Sequence, residues 1–152
     1  MTGRSRLDGV RVLVVDDAPY VRDVVTDILE QDGAVVTAAE TAEKALELLQ
    51  RERPNVLLSD LTMPGKGGYW LIGQVRALPP ERGGATPAAA FTAYASPAHR
   101  AGVLRAGFQL HVAKPVQPAE LVAVVASLAG RTSSPLAAPP SGGSARTCPI
   151  SQ

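Results

Sequence analysis

Residues 10–17, Val10-Arg11-Val12-Leu13-Val14-Val15-Asp16-Asp17, decide the architecture: a β-branched apolar run stops abruptly on two acids. Three further runs end in a comparable way, residues 56–59 at Asp60, 88–91 at Thr92 and 110–113 at Lys114. Laid side by side as parallel strands, these runs bring three carboxylates, a hydroxyl and an ammonium to one edge. That edge, at the C-terminal ends of the strands, is where open α/β sheets place their chemistry.

Between the runs the spacing changes from strand-like to helical, which predicts repeated βα units with helices on both faces of a parallel sheet. Pro19 suits a helix first turn, and Val21, Val24, Val25, Ile28 and Leu29 then follow the i, i+3, i+4, i+7 rule up to Asp32-Gly33. A short strand is expected at 34–38. The next helix carries Ala42, Ala45, Leu46 and Leu49 on one face and ends before Pro54. Residues 55–59 are a continuous apolar run, as in a strand covered on both faces, and the loop 63–68 leads into a helix over 69–78. The connection 79–86 precedes a strand at 87–91. Ser96 and Pro97 form a cap and first turn for a helix that Gly107 closes. A fifth strand over 109–113 and a fifth helix over 118–128, with Leu121, Val124, Val125 and Leu128 at helical spacing, complete the pattern.

Residues 131–152 turn to Ser, Pro, Ala and Gly with almost no large apolar side chain, so they are expected to form a flexible tail. The expected organisation is a short N-terminal extension over 1–9, one domain over 10–130 and this tail, without room for a second folded domain. A 45% hydrophobic content suits one ordinary core. The net charge of +1, without a dense Lys/Arg tract, offers no electrostatic reason to expect nucleic acid as partner. No membrane span or secretory signal is expected, and the lone Cys148 cannot form an internal disulfide, so a cytoplasmic location is the simplest expectation.

Three carboxylates about 4–6 Å apart repel one another by about 1–4 kcal/mol per pair at surface-like dielectric. A hard divalent cation with oxygen ligands is the natural compensation, and magnesium suits a small carboxylate set that leaves room for water and phosphate oxygens. A carboxylate becomes a competent nucleophile for phosphorus once cation and ammonium neutralise the phosphoryl oxygens. Thr92 would donate a hydrogen bond to one of those oxygens. The set reads as a phosphoryl acceptor.

In residues 12–17, in Leu57-Leu58-Ser59-Asp60-Leu61-Thr62-Met63-Pro64, in Phe91-Thr92-Ala93 and in Ala113-Lys114-Pro115, taken in that order, the chain resembles the bacterial two-component response-regulator receiver domain, over about residues 11–128. The resemblance implies a doubly wound (βα)5 fold, flavodoxin-like, with strand order 2-1-3-4-5. It implies Asp60 as the phospho-acceptor, with magnesium on Asp16 (partly through water), Asp17, Asp60 and the Thr62 carbonyl. Lys114 would pair with the phosphoryl group and Thr92 would be the switch hydroxyl. The bond before Pro115 would be cis. The donor would be a sensor histidine kinase or histidine phosphotransfer protein, and output would pass through a downstream partner or homodimer on the face of helix 4, strand 5 and helix 5.

Several residues depart from that pattern. His111 stands where the family commonly has the Tyr or Phe that moves with the switch Thr, and would make the switch sensitive to pH near neutrality. Thr62 and Tyr94 flank the expected path of the hydrolytic water, and a bulky Tyr94 predicts a long-lived phosphoryl group. Lys66 and Gly67 replace a Met-Asp pair and add positive charge near the cleft. Helix 5 is nearly uncharged, with Ala119, Val122, Ala123 and Ala126 expected on its outer side.

Rival readings fit less well. A flavin carrier of the same architecture needs a Ser/Thr/Gly loop where Asp16-Asp17-Ala18-Pro19 would repel phosphate. An aspartate-nucleophile phosphatase needs acids two apart and a cap domain. A phosphorylation-independent scaffold, or a receiver detached from a hybrid kinase, would share every residue named above.

Overall fold

The strand β1 (Arg11–Val15) runs through the middle of the molecule, and its side chains divide between two cores: Leu13 and Val15 on one face of the sheet, Val12 and Val14 on the other. This is the period-two alternation of an extended chain buried on both sides. The computed structural model describes residues 6–93 and 96–130; the expected tail with Cys148, and Tyr94, lie outside the described residues. After β1 come α1 (Pro19–Gln31), β2 (Val35–Ala39), α2 (Ala42–Glu52), β3 (Val56–Asp60) and α3 (Gly68–Arg76). A short 3-10 turn (Pro80–Arg82), β4 (Ala88–Thr92), α4 (Pro97–Ala106), β5 (Leu110–Ala113) and α5 (Pro118–Leu128) follow.

All strand pairs are parallel, and the order in the five-stranded sheet is β2-β1-β3-β4-β5, the flavodoxin-like α/β arrangement. The chain winds outward in both directions from β1 and β3, so a crevice opens beyond their C-terminal ends. Helices α2, α3 and α4 cover the face that carries Leu13, Leu57 and Ala90, while α1 and α5 cover the face of Val14, Leu58 and Phe91. Both β3 and β4 are buried at every position.

Local chemistry sets the helix ends. The Thr41 hydroxyl accepts the Lys44 N–H at α2, and the Ser96 hydroxyl accepts the His99 N–H at α4. Gly107 ends α4 at φ 125°, a conformation that favours glycine. Helix α3 is placed by close contact: a Cβ on Gly68 would lie 2.4 Å from the Asp60 carbonyl oxygen and 3.0 Å from Leu61 Cα. Glycine there lets α3 start against the backbone that carries Asp60.

The structure departs from expectation in places. Both β3 and β4 extend one residue beyond the apolar runs, so Asp60 and Thr92 are terminal strand residues rather than loop residues. Helix α3 stops at Arg76, whose guanidinium donates to the carbonyls of Gly84, Thr86 and Gly107 at 2.7–3.0 Å and ties α3 to the turns before β4 and β5. Leu7 is fully buried beneath α1, and its N–H donates to the Asp32 carbonyl at 2.9 Å, so the core reaches upstream of Val10. Ala126, expected on the outside of α5, is fully buried beside Val125, and Val122 is half-buried against the same core. A helix apolar almost all round does not reveal from its pattern which arc faces inward. Ala119 and Ala123 are exposed.

Candidate functional site

Register builds the site. Val15 pairs with Ser59, so the next residues, Asp16 just beyond β1 and Asp60 at the end of β3, stand side by side at the crevice. Asp16 is fully buried, and its Oδ1 accepts the Ala18 N–H at 2.9 Å, shaping the turn into α1. That turn presents Asp17 to solvent. Asp16, Asp17 and Asp60 each offer an oxygen within 4.8 Å of the others. From β5, Lys114 Nζ reaches to 3.2 Å of Asp60 Oδ1 and 3.3 Å of Asp16 Oδ2. The Lys114 N–H donates to the Thr92 carbonyl at 2.8 Å, and the Lys114–Pro115 bond is cis.

The charges do not balance. Burial and the neighbouring Asp16 push the Asp60 carboxyl above the usual aspartate range, and Lys114 and the Thr62 N–H pull it back only in part. Burial pulls the Lys114 ammonium down, but Asp16 and Asp60 outweigh it and hold its pKa above the ordinary lysine value. Three carboxylates and one ammonium sum to −2 (−3 + 1) when all are ionised. The Arg22 guanidinium, which donates to the Asp16 carbonyl at 2.7 Å, narrows the deficit without closing it. Convergent hard oxygen donors with excess negative charge fit a divalent ion such as magnesium.

A family model described as "Response regulator receiver domain" matches residues 12–126, nearly all of the described fold. The chain belongs to the response regulator receiver domain family. Among curated relatives of this receiver domain is an uncharacterized 14.6 kDa protein from the sodA1 3′ region of Leptolyngbya boryana, 49% identical over 114 residues, which are 75% of this chain and 86% of that protein. Other curated relatives, among them the sensor protein GacS of Pseudomonas syringae and the response regulator FleR of Pseudomonas aeruginosa, are longer, and the chain spans half or less of their length. Among solved structures, the receiver domain of the Pseudomonas aeruginosa sensor histidine kinase PA1611, with a magnesium ion coordinated in its active-site cleft, is 31% identical at TM-score 0.73, covering 80% of this chain and 98% of that one. The chemotaxis response regulator CheY4 of Vibrio cholerae is 28% identical at TM-score 0.73, covering 79% and 98%.

Receiver domains are phospho-accepting signalling domains that bind magnesium at an aspartate cluster, and they are not enzymes in the ordinary sense. In this receiver domain Asp16, Asp17, Asp60 and Lys114 converge. Thr62 is exposed in the loop after β3 and its N–H donates to Asp60 Oδ1 at 3.4 Å. Thr92 is buried at the end of β4. His111 is half-buried on the edge strand β5, paired with Ala90, and lies on the face that α4 covers because its neighbour Val112 points to the other core. The Lys66 ammonium lies 3.6 Å from Glu43 and 5.3 Å from the centre of the Trp70 ring, directed toward α2 and α3. The sequence reading missed Arg22 and His99; the latter's Nε2 is 2.9 Å from the Thr92 hydroxyl. No motif marks either, since each arrives from the first turns of a helix. No helix among the described residues is long and apolar enough to cross a membrane.

Proposed function

We propose that this chain is a cytoplasmic receiver that takes a phosphoryl group onto Asp60 from a sensor histidine kinase or histidine phosphotransfer protein. One observation carries the proposal: three carboxylates share a space less than 5 Å across, with Lys114 bonded to the one that would react. In the transfer, an Asp60 carboxylate oxygen forms the new bond to phosphorus while the phosphorus–nitrogen bond of the donor histidine breaks, and the imidazole leaves with the electron pair. Magnesium, held by Asp16, Asp17, Asp60 and the Thr62 carbonyl, would supply positive charge to the phosphoryl oxygens. Lys114 pairs with one of those oxygens and Thr92 donates a hydrogen bond to another.

The switched output surface is the face of α4, β5 and α5, where Leu104 of α4 is exposed, and it receives a downstream protein or a second copy. His111 takes the part of the switching ring. Thr62 and Tyr94, the latter outside the described residues, flank the approach of the hydrolytic water and lengthen the life of the phosphoryl group. Incubation with magnesium and acetyl phosphate, followed by intact mass, tests the reading: the wild type gains one phosphoryl group and Asp60→Asn gains none. An unmodified wild type in that experiment favours a phosphorylation-independent scaffold.

A further inference from the structure

We infer that His99, in the first turn of α4, is a positioning residue for the Thr92 hydroxyl, and that a phosphoryl group on Asp60 breaks their contact and so carries occupancy of the site into α4. The inference rests on the proposed function above and deepens it.

Thr92 Oγ1 and His99 Nε2 are 2.9 Å apart, hydrogen-bond distance, and they join the last residue of a buried strand to the third residue of a helix. Asp60 Oδ1 meanwhile is held by Lys114 and the Thr62 N–H. A threonine hydroxyl carries one proton, and phosphoryl oxygens are strong acceptors. Turning a β-branched side chain from one staggered rotamer to the next carries its oxygen by about 2 Å. A contact of 2.9 Å does not survive such a step, so Thr92 cannot serve a phosphoryl group by that movement and keep His99.

The helix that holds His99 is built to respond. The His99 backbone N–H donates to the Ser96 hydroxyl at 3.2 Å, a cap that fixes the His99 backbone in the first turn of α4. The side chain at this third helical position commonly reaches back to the cap residue; here it reaches across to β4. Helix α4 buries one side chain completely, Val103, whereas α2 and α3 each bury four residues. An element with so little buried surface is the one a small change at its first turn displaces most readily. Both histidines of the chain, His99 and His111, lie on the α4 side of the sheet; Thr92 contacts His99, and His111 on β5 pairs with Ala90, two residues before Thr92 on β4.

The test is side-chain nitrogen NMR of His99 in the full chain, assigned with His99→Gln, in wild type and Thr92→Val, before and after magnesium and beryllofluoride. Backbone amides around Asp60 and Lys114 report binding independently. The expected result is that the His99 nitrogen resonances of the wild type move on binding, toward the positions that Thr92→Val shows before any addition, and that Thr92→Val, titrated with more reagent until its Asp60 amides shift, keeps its His99 resonances unmoved. Binding seen at the Asp60 amides without movement at His99 overturns the inference and leaves the proposed function standing. Identical His99 resonances in unliganded wild type and Thr92→Val also overturn it. Failure of the reagent to bind at all in magnesium removes the proposed function and this inference with it.

Discussion

The ammonium of Lys114 stands 3.2 Å from Asp60 Oδ1 although their strands do not touch, because β4 lies between β3 and β5 in the sheet. The lysine therefore bridges across a whole strand at the mouth of the crevice, and it contacts Asp16 at 3.3 Å from the same position. Removing it leaves two buried carboxyls facing each other. Lys114→Ala is expected to lower stability by about 2 kcal/mol at neutral pH without divalent ions and to slow phosphorylation by acetyl phosphate. Because the Lys114 pKa is raised, its contribution persists through neutral pH and fades only as pH rises past a value above 10.5. Urea unfolding of both proteins at pH 7 checks the first part; equal midpoints would contradict it.

Asp60 behaves in the opposite sense. Its pKa lies above the ordinary 3.8, so the folded state favours its protonated form, and ionising it costs stability as pH rises through the raised value. Asp60→Asn, which does not titrate, is expected to melt higher than the wild type at pH 7 in a chelator, by about 4 °C for each kcal/mol of strain relieved. The gap should close below pH 3.8 and narrow when magnesium is added to the wild type. Melting curves at three pH values, with and without magnesium, check all of this; a variant that melts lower at pH 7 would be inconsistent with a carboxyl destabilised by burial.

Gly68 supports the site from behind. A methyl group there would meet the Asp60 carbonyl oxygen at 2.4 Å, a contact that only a shift of backbone can relieve. Gly68→Ala is expected to cost about 1–3 kcal/mol and to weaken magnesium binding, because the shift falls on the residue that carries the carboxylate. Gly73, with open space around its Cβ position, is the matched control. Gly73→Ala in the same helix should leave magnesium binding as it was, and equal effects of the two substitutions would remove the packing explanation.

Most of the fold was legible because the apolar runs alternate so cleanly with helical spacing. Asp16, Asp17, Asp60, Thr92 and Lys114 were legible because each ends such a run, and parallel register does the rest. The inward face of α5 was legible in part: Leu121 and Val125 are buried as their spacing predicts, but with Val122, Ala123 and Ala126 apolar as well no polar stripe bounds that face, and Ala126 turned out to be buried too. Leu7 was missed because its burial depends on the turn at Asp32, far from it in sequence. Arg22 and His99 reach the site from helix first turns whose direction only the packed structure reveals.

His111 sits half-buried on the edge strand, on the side of α4, opposite Ala90. As the switching ring of the proposed function, it should be replaceable by another ring: His111→Tyr should keep the phosphorylation-dependent output and His111→Ala should weaken it. Partner binding or self-association measured with and without beryllofluoride checks this; indistinguishable behaviour of the three proteins would exclude a role for the ring.

Chemical location of the phosphoryl group is the most direct measurement. The protein is phosphorylated with acetyl phosphate in magnesium, reduced with borohydride so that an acyl phosphate becomes homoserine, and mapped by peptide mass. Homoserine at Asp60, with Asp16 and Asp17 unchanged, is the predicted result. Homoserine at either of the other two acids, or at none of the three, would contradict it.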